Sequence, residues 1–508
     1  MKRHFLAALL STALLLTACG REAHPSSSAS SAASSGTVSL EETPRPAATL
    51  FTLAVYPEFS LHPTLAANRA NLTLAPLLYE GLFSVDASFQ AQPVLCRSYT
   101  VSEDKLTWTL TLQPGVTFSD GTPLTGQTVA DALNLARSEQ GRYKERLAVI
   151  AAAAPLEDAP DQLTITLRRS NGSLPLLLDI PIALGGGDRP AGTGPYVLSE
   201  NGDSLSLTAR EGWWQKERPL PAADIPLHSV HRSEELIYAF DAGEVSLVDV
   251  DLMATNAMGY GGNYQTWDYP TTDFLYLGFN TQEGPCRTLE VRQCLALAVD
   301  RNTIASTIYA NHAVPAALPV HPSSPLYSRS AAAAVPGYDP EALAARLGEL
   351  RGLDGELIFL VNSENTAKAS AAQLIAYQLE AAGLNVTLQQ LPFEDYQQAL
   401  NQGAFDLYLG ETVFTADFDL APLLSSTGTL NYGGWRLEEA DSCLWNLYGA
   451  VEDKGNRAEE LFALLNVQTP IVPIIFKNGS VLTQWGRLSG LTPVRGDVFY
   501  GLENWTIS

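Results

Sequence analysis

The stretch from Leu78 to Leu133 constrains this chain more than any other: LYEGLFSVDASFQAQPVLCRSYTVSEDKLTWTLTLQPGVTFSDGTPLTGQTVADAL. Leu106 to Leu112 sets Leu and Trp against Thr in strict alternation, the pattern of a half-buried strand. Thr122-Pro123 and Thr125 then punctuate a turn, and the spacing predicts a helix over Thr128 to Ser138. A helix end, a β-meander and a new helix follow one another without a gap.

The first residues carry a targeting pattern. Lys2 and Arg3 precede an apolar run from Phe5 to Leu16, which is too short to span a bilayer. Leu16-Thr17-Ala18-Cys19 has the form of a lipobox, so cleavage before Cys19 and lipidation of its sulfur are expected. An ordinary signal peptide that happens to end near a cysteine is the plainer alternative. Gly20 to Ala48 is rich in Ser, Ala, Thr and Pro and nearly free of large apolar residues, which predicts a tether that cannot offset its ordering entropy.

Across 508 residues, 46% hydrophobic content suffices for more than one domain. A formal charge of −24 argues against nucleic-acid binding, which needs a Lys/Arg surface. Cys96, Cys286, Cys294 and Cys443 remain beside Cys19, and spacing does not choose among their three full pairings. No C-x-x-C pair occurs. His228-Ser229-Val230-His231 fits neither a helical H-E-x-x-H pair nor one face of a strand, so no metal site and no cofactor are expected.

Further along, Gly192-Thr193-Gly194-Pro195-Tyr196 opens a strand; no Gly-Lys-Ser/Thr follows, which excludes a phosphate loop. Glu211-Gly212-Trp213-Trp214, Phe274 to Thr281 (FLYLGFNT) and Leu289 to Arg301 (LEVRQCLALAVDR) come next. Leu357 to Val361, Ala367 to Ala382 and Val386 to Leu391 predict a βαβ unit with Gly383 closing the helix. Ala458 to Leu465 predicts another helix, and Thr469 to Phe476 (TPIVPIIF) a strand.

Together with Glu80-Gly81-Leu82, Pro93-Val94-Leu95 and Gly115 to Thr125, these segments resemble the extracellular solute-binding proteins of the peptide/nickel class (family 5), the ligand receptors of ABC importers. The resemblance spans about residues 49 to 508. It implies an α/β, two-lobed periplasmic-binding-protein fold, class II, of the peptide-binding type with an extra subdomain, joined by a hinge. The implied divisions are a signal peptide over 1–18 and a tether over 19–48. Lobe I would take 49–80, 181–271 and 478–508; the extra subdomain 81–180; and lobe II 272–477. One departure is Gln127-Thr128, where the family often has Ala-Asp; Cys96 and Cys294 stand where it commonly has Ala, as small buried residues. Arg292 is expected in a structural salt bridge.

Such proteins bury a small-molecule or peptide ligand between lobes. In peptide binders an aspartate in an Ala-Asp-aromatic run takes the α-ammonium, and Asp417 in Ala416-Asp417-Phe418 matches it. Asp also favours helix N-caps, so Asp417 or Asp419 capping a helix near Pro422 is the alternative. The resemblance also places Asn68 and Arg69 on a cleft loop, Tyr276 on the interlobe strand, and Phe414, Tyr432 and Trp435 near Asp417. Arg69 would suit a ligand carboxylate. The expected protein is a monomer anchored by lipid on the extracytoplasmic face of the cell membrane, working with a membrane permease and making no covalent bonds. A secreted hydrolase using Asp417 and Asp419 as an acid/base pair is a competing reading, without a G-x-S-x-G elbow or H-E-x-x-H helix to support it. A ligand sensor of the same fold is a third.

Overall fold

The computed structural model describes residues 51–508 apart from 203, 255–258, 351, 352 and 354. The expected signal peptide, Cys19 and the tether lie outside the described residues.

Three larger sheets organise the chain. The first has four strands in the order Leu53–Val55, Asp224–Ser229, Ser204–Ala209, Tyr196–Asn201, with only the first pair parallel. The second is the antiparallel meander Cys96–Val101, Thr107–Leu112, Ala159–Leu167, Ile150–Leu156. In Thr107–Leu112, Trp108, Leu110 and Leu112 are buried while the threonines between them are half-buried, as the alternation predicts. Helix Gly126–Ala136 lays Val129, Ala130 and Leu133 into the same core. The third sheet has seven strands, running Leu247–Val250, Ile471–Gln484, Tyr264–Phe279, Leu407–Val413, Glu356–Asn362, Asn385–Leu391, with Ala313–Pro315 also on Ile471–Gln484. Glu356–Asn362 and Asn385–Leu391 pair in parallel through helix Thr366–Ala381, the predicted βαβ unit.

Two strands of this sheet belong to two cores. Tyr264–Phe279 and Ile471–Gln484 run antiparallel, with a register shift between Pro270 and Phe274. At one end Tyr269 and Val481 pack with Phe51, Tyr196 and Leu227. At the other Leu275, Phe279, Val472 and Ile475 pack with Phe359, Ile375 and Leu379. Two lobes sharing two continuous strands, bent at an irregularity, are built to rotate there. Both strands exceed their predicted lengths, because Pro270 and Asn478-Gly479 resemble strand ends. Gly479 instead makes room for a ring: a Cβ there would lie 2.1 Å from Tyr269 Cζ.

The motif glycines serve packing. A Cβ on Gly192 would lie 2.1 Å from the Leu78 carbonyl oxygen. Glu80 accepts from Trp214 Nε1 at 2.8 Å and Gln215 Nε2 at 2.9 Å, joining two motifs distant in sequence. The helical stretch that ends just before Tyr79 divides into Arg69–Thr73 and Ala75–Leu78, with Pro76 in the first turn of the second. Arg292 makes no carboxylate pair among the described residues; it donates to the carbonyls of Cys286, Arg287, Gln468 and Thr469 at 2.8–3.1 Å. The salt bridge expected of it is thus replaced by backbone carbonyls at two chain ends. All four described cysteines are free.

Candidate functional site

A cavity of about 610 Å³ opens among the first sheet's lobe, the meander subdomain and the C-terminal segment. Helix Arg69–Thr73 gives it Arg69, and Asn68 caps that helix by accepting from Asn71 N at 3.0 Å. The turn after helix Gly126–Ala136 gives Arg142, Tyr143 and Arg146, and the C-terminal segment gives Arg495 and Asp497. Asp249 and Tyr269 come from the sheet that joins the lobes.

The charges are unevenly paired. Arg69 meets Asp249 at 3.3 Å, and the Tyr269 hydroxyl donates to the same carboxylate at 2.8 Å. Arg218 meets Glu503 at 2.5 Å, and Arg146 meets Asp179. Burial, and then the charge of Arg495, push the Arg146 guanidinium down to about 10. Burial pushes the Asp497 carboxyl up to about 6.

Of the residues expected at the site, only Arg69 lines this cavity. Tyr276 is buried in the aromatic core of the second lobe. Its ring stacks on Phe274 at 5.5 Å and meets Tyr408 edge-on at 5.8 Å. Phe414 and Trp435 are buried in the same aromatic core. Tyr432 packs partly buried against it, its ring edge-on to Tyr408. Asp417 is 4% exposed and accepts from Thr415 and, at 3.2 Å, from Asn171 Nδ2 of the subdomain. Burial raises its pKa despite those bonds. It caps no helix: Asp419 is the residue that accepts from Ala421 N, at 3.0 Å, while pairing with Arg169 at 3.3 Å. Asp417 nevertheless lies within electrostatic reach of Arg146 and Arg495.

Beside the bend, Lys477 is 7% exposed and reaches Glu411 at 2.8 Å, Asp251 at 3.5 Å and Asp273 at 3.8 Å. Burial opposes its charge, but the three carboxylates together hold its pKa above the usual lysine range. Asp273 in turn lies within electrostatic reach of Arg495. Arginines therefore line the cavity, with acids within electrostatic reach across it. Arg142, Arg146 and Arg495 went unread in the sequence, because only the tertiary fold brings residues 142–146 beside residue 495.

The description "Bacterial extracellular solute-binding proteins, family 5 Middle" matches residues 90–432. The glutathione-binding protein GsiB of Salmonella typhi is 26% identical over 393 residues, which cover 72% of this chain and 76% of that protein. Among solved structures, HbpA2 from Haemophilus parasuis superposes with a TM-score of 0.75 at 18% identity, over 90% of this chain and 99% of the other. The ABC transporter substrate binding protein CtaP from Listeria monocytogenes superposes at 0.71 with 19% identity and the same coverage. Likeness at that identity speaks for the two-lobed fold.

Proposed function

Because the chain belongs to the bacterial extracellular solute-binding proteins of family 5, we propose that it is the lipid-anchored substrate-binding component of an ABC importer, taking up a short peptide and passing it to a membrane permease. The observation that carries this reading is the cavity of about 610 Å³, within the usual range for small-ligand sites, with charges of both signs around it. A peptide is a zwitterion and needs both. Arg142 or Arg495 receives the carboxylate, and Asp417 receives the α-ammonium on a lone pair that Asn171 leaves free, giving a charge-assisted bond in a site of low dielectric. Asn68 serves by capping the helix that carries Arg69, and Tyr276, Phe414 and Trp435 by shaping the lobe beneath Asp417. Cys19 carries the lipid. Members of this family bind solutes and do not transform them, so Asp417 and Asp419 are not a hydrolytic pair.

Mass spectrometry of protein freshly purified from membranes, then denatured, tests the assignment. Released peptides and a lipid-sized mass on Cys19 are expected. An empty protein that shows no thermal shift with any member of a peptide panel defeats the peptide reading. Asp417→Ala is expected to keep the fold and lose peptide binding; unchanged affinity removes Asp417 from the site.

A further inference from the structure

The arginines are more numerous than a simple peptide requires, and the inference drawn from them rests on the solute-binding reading above. Arg142, Arg146 and Arg495 line one cavity from two separate parts of the chain. Arg69, Arg218 and Arg146 each have a carboxylate partner there, in Asp249, Glu503 and Asp179. Among the described residues, Arg142 and Arg495 have no carboxylate within ion-pair distance. Arg142 stays exposed and Arg495 half-buried, so both remain open to a guest.

Two guanidinium groups without an ion-pair partner stand out in a chain that is strongly acidic, at −24 overall. Like charges gathered in a partly enclosed site cost free energy that only an anion returns. The cost is visible at Arg146, where both Arg495 and Arg142 disfavour its charge beyond the effect of burial. One carboxylate satisfies one guanidinium through a paired, two-point contact. The terminal carboxylate of a neutral peptide would therefore leave a second arginine without an anion.

From the two unpartnered guanidinium groups we infer that the solute carries a second anionic group besides its terminal carboxylate, and that the preferred ligand is a short peptide with an Asp or Glu side chain. Arg142 and Arg495 take the two carboxylates and set the specificity.

Isothermal titration of the intact protein with Ala-Glu-Ala and Ala-Gln-Ala, which are nearly isosteric, isolates the second charge. Ala-Glu-Ala should bind at least about tenfold more tightly, and the preference should weaken as salt rises. Arg142→Gln and Arg495→Gln should each shrink the ratio of Ala-Glu-Ala to Ala-Gln-Ala affinity at least about threefold, whatever each does to peptide affinity as such; Arg142 is exposed, so that variant keeps the test open should Arg495→Gln fold poorly. Equal affinity of the wild type for the two peptides overturns the inference and leaves peptide binding standing. Binding of neither overturns both.

Discussion

His321 shows how one buried side chain ties stability to pH. It is 2% exposed, with its ring 5.1 Å from Phe89 and 5.4 Å from Phe476, and its Nδ1 accepts from Ser323 N at 3.0 Å. Burial pushes its pKa down from 6.5 to about 4. Between those values the unfolded chain takes up a proton that the native protein does not, so stability falls as pH drops through 6.5 toward 4. The full effect is on the order of 3 kcal/mol. In His321→Asn, the amide oxygen can still accept from Ser323, but nothing titrates. The wild type should therefore lose more melting temperature than this variant between pH 7 and pH 4.5; parallel losses would show that the imidazole titrates normally. Residue roles were the least legible part of the sequence. Arg69 was placed from its neighbours in a motif, and it lines the cavity. Tyr276 was placed on the right strand, but that strand alternates its faces, and Tyr276 points into the aromatic core. Arg142, Arg146 and Arg495 carry no local signal, since a solvated arginine and a convergent one look alike in sequence.

Elements were more legible, because periodicity and capping are local. Helix Gly126–Ala136 lacks the acid often found at its start, yet the structure supplies a substitute. Thr128 N donates to Thr125 Oγ1 at 3.2 Å, and Thr125 N donates to Thr128 Oγ1 at 2.9 Å, a reciprocal capping box built from two threonines. Thr125→Ala should cost about 1 kcal/mol, read as a lower denaturation midpoint with an unchanged slope. No change would mean that packing of Val129 and Leu133 alone holds the helix start. The βαβ unit and the alternating strand of the meander were likewise read from pattern. What failed was the length of the two shared strands. Pro270 and Gly479 are strand breakers by propensity, but here they lie at the bend and beneath a tyrosine ring. Tertiary need overrode local preference at the bend that the two lobes share.

At the scale of the whole molecule, the shared strands are not the only link between the halves. The segment after strand Ala159–Leu167 reaches from the subdomain onto the second lobe. Arg169 pairs with Asp419 and lies 4.9 Å from the Trp445 ring centroid. Asn171 donates to Asp417 at 3.2 Å, Gly172 N donates to the Tyr448 carbonyl at 2.8 Å, and Lys105 donates to the Gly449 carbonyl at 3.2 Å. Phe89, on a hairpin of the first half, sets its ring 5.0 Å from Phe418. Each of these crosses from one half to the other, so the lobes part only by breaking them. A ligand-binding protein of this kind balances open and closed forms, and contacts made only in the closed form shift that balance by their free energy. The exposed Arg169 pair contributes little, within about 1 kcal/mol, whereas the buried bond from Asn171 to a carboxylate is worth about 1–3 kcal/mol. Loss of about 1.4 kcal/mol moves the balance tenfold toward the open form. The double variant Arg169→Ala/Asn171→Ala should therefore bind peptide about tenfold more weakly. It should also show a larger radius of gyration by small-angle scattering without ligand, and return to the wild-type value when saturated. An unchanged radius and unchanged affinity would show that the shared strands alone set closure, and that the docked segment merely follows them.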